Sequence, residues 1–451
     1  MTTPEPESRP RLRVLAVAEA ANPEWVSVPL IGWSLAAALR DHADVHLVTQ
    51  VRNREAILRA GLVEGTDFTA IDSEAIARPI HRLSEALRFG KGTGWTIGTA
   101  LASRLSYPHF ERLLWRQFRD RLAAGEFDVV HRITPVSPTA NSALAAHCAR
   151  LGVPFVLGPL NGGVPWPPGF DATRRQEREW LSYLRGAYRL SLARRRTLAA
   201  SSLIIAGSAH TASEIPARHH HKLARMPENG IDPARFRHRA QQPGRAPLRA
   251  CFIGRLVPYK GPDMLIEAAA PFLADGRLKL DIVGSGPLEE ALGRQAVQAG
   301  VAEAVTFHGW LPHQQVQDVL ARAQLLTFPS IREFGGGVVL EAMATGVVPV
   351  VCDYAGPAEL VDDETGFKVP MGDRAAIVTA FQTTLNRILD DPSALPRMAE
   401  AGLRRVARDH SWDRKAAQTV ALYRWAMAPQ GPVPTVAVPP DLPPNSKGIA
   451  T

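Results

Sequence analysis

Short runs rich in β-branched residues alternate with amphipathic stretches along this chain, and the alternation occurs twice. Leu12 to Ala18, Val45 to Thr49, Val129 to His131, Phe155 to Leu157 and Leu203 to Ala206 form the first series. After a polar, proline-bearing connector, Asp232 to Pro247, it restarts with Arg249 to Ile253, Leu278 to Val283, Ala304 to His308, Leu325 to Phe328 and Val348 to Cys352. Strand runs separated by helical stretches are the pattern of βαβ units, whose crossovers generate parallel sheets. A chain of 451 residues with 45% apolar residues is too long for one core and can fill two. The expectation is an α/β protein with two doubly wound parallel-sheet domains, at 11–235 and 248–408, facing across a cleft. In Trp412 to Met427, Ala416, Val420, Leu422, Tyr423 and Ala426 recur at helical spacing, so a last helix at 411–428 is expected to pack back toward the N-terminal domain. The ends, 1–10 and 429–451, are polar or proline-laden and read as disordered tails.

Several function classes drop out on composition. No apolar run reaches the roughly eighteen residues that a bilayer span needs. The opening Met1 to Glu7 lacks the basic-then-apolar secretory pattern, which makes a cytoplasmic location the expectation. Cys148, Cys251 and Cys352 are too few and too far apart for a disulfide framework or a zinc site, and read as core thiols. The net charge of +8 favours an anionic partner: a nucleotide-sugar, an anionic membrane surface or nucleic acid.

The segment richest in chemistry runs from Arg332 to Gly346. Glu333 and Glu341 stand eight positions apart around the triplet Gly335-Gly336-Gly337. On one unbroken helix that spacing would separate the carboxylates by about 12 Å along the axis, too far to share one sugar ring. The triplet breaks the geometry. It leaves Glu333 on a loop and Glu341 on the second turn of an apolar helix from Val338 to Thr345, whose exposed N-terminal amides suit an anion. The alternative is a glycine-rich strand-to-helix turn carrying two solvated acids.

Other motifs follow strands, where ligands bind in folds of this type. Gly254-Arg255-Leu256-Val257-Pro258-Tyr259-Lys260-Gly261 sets two cations five apart on one loop, where both can converge on a diphosphate or remain solvated. Gly284-Ser285-Gly286-Pro287 would let a ligand lie against bare backbone, but it lacks the continuation of a dinucleotide fingerprint, which disfavours dehydrogenase chemistry. Gly309 could face a base, and Trp310 beside it reads as core or lid. Gly158 to Pro167 forms a long Gly/Pro loop suited to shaping a cleft, or else a rigid turn.

Taken together, Gly254-Arg255-Leu256 with Lys260-Gly261, Gly284-Ser285-Gly286-Pro287, Phe328-Pro329-Ser330 and Glu333 to Glu341 resemble the family-4 retaining glycosyltransferases of GT-B fold, which pair two Rossmann-like domains. Ala206 to Thr211 and Pro227-Glu228-Asn229-Gly230-Ile231-Asp232 look like that family's interdomain segments, and the resemblance runs from about residue 12 to 428. It implies an enzyme that takes a nucleoside-diphosphate sugar as donor, with no cofactor and no required metal. Arg255 and Lys260 would grip the diphosphate, Glu341 the ribose, and Glu333 the sugar. Phe334, Gly335, Gly336, Gly337 and Val338 would offer backbone amides, Gly254, Gly284, Gly286 and Gly309 would line the donor site, and His131 would match the family's active-site histidine. A strand-end histidine satisfied by backbone is the plain alternative for His131. The first loop, Glu19 to Trp33, departs from the family pattern: it lacks paired glycines and keeps only Gly32 for close approach.

The same resemblance implies retention of anomeric configuration, with the departing phosphate taking the acceptor proton and no protein nucleophile. A glycan or lipid-linked acceptor in envelope or exported-polysaccharide synthesis is the expectation. A sugar-nucleotide epimerase of the same fold and a basic scaffold or nucleic-acid-binding protein are the alternatives; Arg255, Lys260 and the two glutamates together argue against both. From Asp171 to Arg196, eight arginines face three acids, with Trp180, Leu184, Tyr188 and Leu192 at four-residue spacing. That reads as a basic amphipathic helix, either a solvated face over a core stripe or a peripheral contact with the inner leaflet.

Overall fold

The first seven strands are β1 (Arg13–Ala18), β2 (Asp44–Gln50), β3 (Phe68–Ile71), β4 (Val129–Thr134), β5 (Phe155–Leu160), β6 (Leu203–Ala206) and β7 (Leu223–Arg225). They form one parallel sheet in the order β3-β2-β1-β4-β5-β6-β7. A second parallel sheet holds β8 (Leu248–Ile253), β9 (Leu278–Val283), β10 (Val305–Gly309), β11 (Leu325–Phe328), β12 (Val348–Cys352) and β13 (Phe367–Val369), in the order β10-β9-β8-β11-β12-β13. This is a computed structural model, and it describes residues 11–87, 106–176, 189–233, 235–240 and 247–435. In each sheet the winding direction reverses once, between β1 and β4 and between β8 and β11. The crevices at the carboxyl ends of those pairs are where a doubly wound sheet binds ligands.

The central strands coincide with the apolar runs of the sequence. β3, β7 and β13 are short edge strands in which apolar and polar residues mix, so no apolar run marks them. β5 continues through Gly158 and Pro159 to Leu160, so the expected Gly/Pro loop starts later than Gly158. Cys148, Cys251 and Cys352 are all buried.

Each face of the first sheet has its own core. One packs Leu15, Val17 and Val130 against Phe110, Leu114 and Phe118 of the helix Tyr107–Ala123. The other packs Val14, Ala16, Leu35 and Leu39 against Trp412, Ala416, Val420, Leu422 and Tyr423. Those last five belong to the helix Trp412–Met427, so the chain's last helix completes the N-terminal domain. Ser411 caps it, its hydroxyl accepting from Arg414 N–H.

The chain crosses between the domains twice, and the two crossings are joined. Ile231 N–H donates to His410 O at 2.8 Å, and Trp412 N–H donates to Ile231 O at 3.0 Å. Gly230 is needed there, because a Cβ would sit 2.8 Å from the Trp412 ring. Lys415 Nζ donates to Pro227 O at 2.5 Å and fixes the returning helix to the outgoing connector.

Residues 177–188 of the Arg-rich stretch, with Trp180, Leu184 and Tyr188, lie outside the described residues. On its C-terminal side a separate helix, Leu192–Ala200, starts at its own Ser191 cap, and Arg194 is buried there and donates to Glu214 O at 2.8 Å. Arg194 is therefore a structural residue, while Arg195 and Arg196 are exposed. No helix among the described residues is long and apolar enough to cross a membrane.

Leu422 is fully buried at the join of helix and sheet. Leu422→Ala should cost about 2–5 kcal/mol in urea denaturation, the range for a large-to-small change in a core. A loss under about 0.5 kcal/mol, the size of an ordinary surface substitution, would show that this helix does not carry the N-terminal core.

Candidate active site

The loops that leave β8 and β11 stand side by side at the reversal point of the second sheet, and they are stitched together. Tyr259 O accepts Ile331 N–H at 3.0 Å and Ser330 Oγ–H at 3.3 Å. Gly261 closes the first loop with φ +72°, and a Cβ there would lie 2.6 Å from Pro329 O. This stitching brings Lys260 onto Glu333, and their side chains form an ion pair at 16% and 18% exposure. Lys260 Nζ also lies 5.0 Å from the centre of the Phe328 ring. Burial pushes the Lys260 ammonium down to about 7, while the Glu333 carboxylate against it favours the charged form. The sequence expectation gave the two side chains separate ligand groups, and the structure pairs them with each other.

Arg255 is half-buried on the same loop. Its carbonyl accepts Val257 N–H at 2.9 Å. Gly284 and Gly286 follow β9 on the neighbouring loop. A Cβ on Gly284 would overlap Gly254 O, and one on Gly286 would overlap Leu256 O. These glycines let the loop after β9 pack on the loop after β8, so backbone fills the space on the side where a Cβ would stand. Gly309 has φ +65° and open space around it, and Trp310 beside it is 65% exposed rather than core.

Glu333 stands on the loop and the helix Gly337–Thr345 begins at the last glycine of the triplet, with Gly336 as a left-handed N-cap. Glu341 projects from the second turn, and its Oε1 accepts His313 Nε2–H at 2.9 Å. Phe334, Gly335, Gly337 and Val338 are half-buried and line the rim, whereas Gly336 is buried against Leu360. Gly335 must be glycine because a Cβ would overlap Glu228 Oε1 and Asn229 Nδ2 on the interdomain crossing. Glu228 is itself buried, held by Asn161 Nδ2–H at 2.7 Å, and burial raises its carboxyl above the usual range.

The loop after β5 leaves the N-terminal domain and lies on the loops that follow β11 and β12. Arg332 Nε–H donates to Val164 O at 3.3 Å, and its guanidinium sits 5.1 Å from the Trp166 ring and 5.3 Å from the Phe334 ring. Tyr354 Oη–H donates to Pro165 O at 3.0 Å, and Phe170 enters the core of the second domain. Below this strap, Glu359 accepts Ala209 N–H at 2.8 Å and Arg225 at 3.0 Å across the seam. Arg332, Glu359 and His313 were not singled out from sequence. Each acts through a tertiary partner, and no local spacing signals that.

On the N-terminal side, His131 is fully buried within β4 and both ring nitrogens are engaged. Gly158 O can only accept, so Nε2 carries the proton and donates at 2.6 Å; Nδ1 then accepts Tyr423 Oη–H at 2.6 Å. In this arrangement His131 ties β4 to β5 and to the helix Trp412–Met427 through both ring nitrogens, which is the plain alternative named for it. Gly32 is also spent internally, since a Cβ there would overlap Ala20 O.

Burial drives His131 down to about 4. A depressed histidine contributes stability that is complete above its unfolded value of about 6.5 and is lost as pH falls toward 4. The melting temperature should drop across that window. His131→Gln keeps a donor and an acceptor but does not titrate, so its drop should be shallower; equal pH profiles would show that His131 charging is not what acid acts on.

Residues 235–405 match the family model described as glycosyl transferases group 1. The glycogen synthase of Mycobacterium tuberculosis is 34% identical over 215 residues, covering 46% of this chain and 51% of that protein. The D-inositol 3-phosphate glycosyltransferase of Streptomyces avermitilis is 32% identical over 257 residues, covering 51% and 53%. The chain spans about half the length of these curated relatives. Among solved structures, Anabaena HepE in complex with UDP and glucose aligns with a TM-score of 0.59 at 16% identity, over 91% of this chain and 99% of that one. Sucrose-phosphate synthase from Thermosynechococcus elongatus aligns with a TM-score of 0.59 at 16% identity, over 93% and 100%. At that identity the structures show the fold, which is GT-B. The family match is thus confined to residues 235–405, the second domain, while the GT-B fold extends over both domains.

Proposed function

We propose that the chain moves a glycosyl group from a nucleoside-diphosphate sugar to an acceptor hydroxyl presented by the N-terminal domain, with retention at the anomeric carbon. The Lys260–Glu333 ion pair at the reversal point of the second sheet carries this reading. Two opposite charges held at a ligand-binding crevice, beside a helix N-terminus, are matched in kind to an anionic diphosphate and a polyhydroxylic ring. On binding, the diphosphate takes Lys260 and frees Glu333 to accept from sugar hydroxyls. The added negative charge also holds Lys260 protonated against its burial.

Arg255, on the same loop, adds a forked donor to the diphosphate, and the amides at Gly337 and Val338 add partial positive charge. Glu341 accepts from the ribose. As the glycosidic bond to phosphate breaks, these groups stabilise the charge gathering on the leaving oxygen, and that oxygen takes the acceptor proton. No protein nucleophile and no metal are required in this scheme. Relatives named as glycosyltransferases and the UDP-bound HepE structures support a nucleotide-sugar donor. The acceptor in this reading is a glycan or lipid-linked saccharide for an envelope or exported polysaccharide. A protein of this kind works in the cytoplasm, with the exposed Arg195 and Arg196 suited to an anionic leaflet.

Lys260→Ala and Glu333→Ala should each lower kcat/KM for donor turnover by about 100-fold or more, the loss seen when one charge-stabilising group is removed. Uridine or guanosine diphosphate at about 100 times its Kd should stabilise the wild type by about 2.7 kcal/mol, and the Lys260 variant by much less. Unchanged turnover in either variant would remove the site assignment.

A further inference from the structure

The environment of Glu341 contains a residue that the scheme above does not use. His313 opens the helix His313–Leu320, directly after Pro312, and its Nε2–H donates to Glu341 Oε1 at 2.9 Å. Both side chains are largely shielded, at 25% and 21% exposure. Phe236, itself 6% exposed, meets the His313 ring edge-on with centroids 5.7 Å apart and planes at 84°. The ring is thus fixed from two sides: an aromatic residue of the interdomain connector sets its plane, and the carboxylate sets its tautomer, because an ionised oxygen only accepts.

We propose that His313 is a positioning residue that orients the Glu341 carboxylate and thereby sets the enzyme's selection for a ribose over a nucleotide lacking its hydroxyls. The inference rests on the reading of Glu341 as the ribose acceptor. A glutamate on a helix has three rotatable bonds, and a free one would have to be ordered each time a nucleotide binds. With Oε1 already held by His313, Oε2 and the remaining lone pair of Oε1 are turned together to one side before the ligand arrives. A pair of vicinal hydroxyls offers two donors, and a carboxylate of fixed plane can receive both. His313 touches neither the nucleotide nor the reacting atoms; its effect passes entirely through Glu341.

The test separates this role from general support of the fold. Uridine and guanosine diphosphate, each with its 2′,3′-dideoxy analogue, are titrated calorimetrically into the wild type, His313→Ala, His313→Gln and Lys260→Ala, and the base that binds is carried forward. The wild type should prefer the ribose form by about tenfold or more, the size of a pair of good hydrogen bonds. His313→Ala should lose most of that preference while binding the dideoxy analogue as the wild type does. His313→Gln, which keeps an N–H donor, should recover part of it. Equal weakening of both ligands in His313→Ala, or an intact preference, would overturn the proposal. If the wild type binds both forms alike but Lys260→Ala binds neither, the ribose role of Glu341 falls and His313 falls with it, while the diphosphate site stands. Should no nucleoside diphosphate bind the wild type, the donor-site reading fails first.

Discussion

The double crossing between the domains is the constraint on which the rest depends. A single connector of twenty or so residues would leave two sheets free to turn about it, and a site built from both could not keep its geometry. Here the outgoing chain at Ile231 and the returning chain at His410 to Trp412 are hydrogen-bonded to each other, and the helix that follows is buried in the first domain. The hinge is therefore a paired segment whose unpairing would expose Trp412 and strand two backbone groups. Glu228 and Asn229, two residues upstream of this pairing, are held against the glycine triplet, so the triplet's position is referred to the hinge.

Within that frame the charges at the seam have different jobs. Lys260 and Glu333 are shielded, and each leaves the other uncompensated if removed, a situation that costs about 1–3 kcal/mol for a buried hydrogen-bonding group. A ligand able to replace each partner's partner would relieve this. Glu359 differs. It ties Ala209 and Arg225 across the seam, where burial raises its carboxyl while the two donors lower it, and it holds domains together rather than awaiting a ligand. Arg332 is bracketed by Trp166 and Phe334, so one cation links the N-terminal strap to the loop that bears Glu333.

Much of the architecture was legible because central strands of a parallel sheet are buried on both faces and so read as continuous apolar runs. Leu203–Ala206, Leu278–Val283, Leu325–Phe328 and Val348–Cys352 have the bounds read from sequence. Edge strands such as Leu223–Arg225 carry no such signal, since one side meets solvent. The motif carrying Glu333 and Glu341 was legible too, because a glycine triplet has few reasons to precede an apolar helix. What filled the space beside a glycine was not: Gly284 and Gly286 announce close approach, but not whether backbone or ligand approaches. The surroundings of His131 were hidden for a related reason. Its position after Asp128-Val129-Val130 sets its place on the strand, while its solvent exposure depended on Tyr423, nearly three hundred residues later.

That last helix has a consequence for the order in which the molecule can be made. Ribosomal synthesis delivers the first sheet early, with one face lacking its cover of Trp412, Val420, Leu422 and Tyr423. The second domain, whose core draws mainly on residues from 248 to 406, can collapse before that cover emerges. Of the two domains, the one that comes first in the chain is thus the one finished last, and until then one of its apolar flanks stays bare.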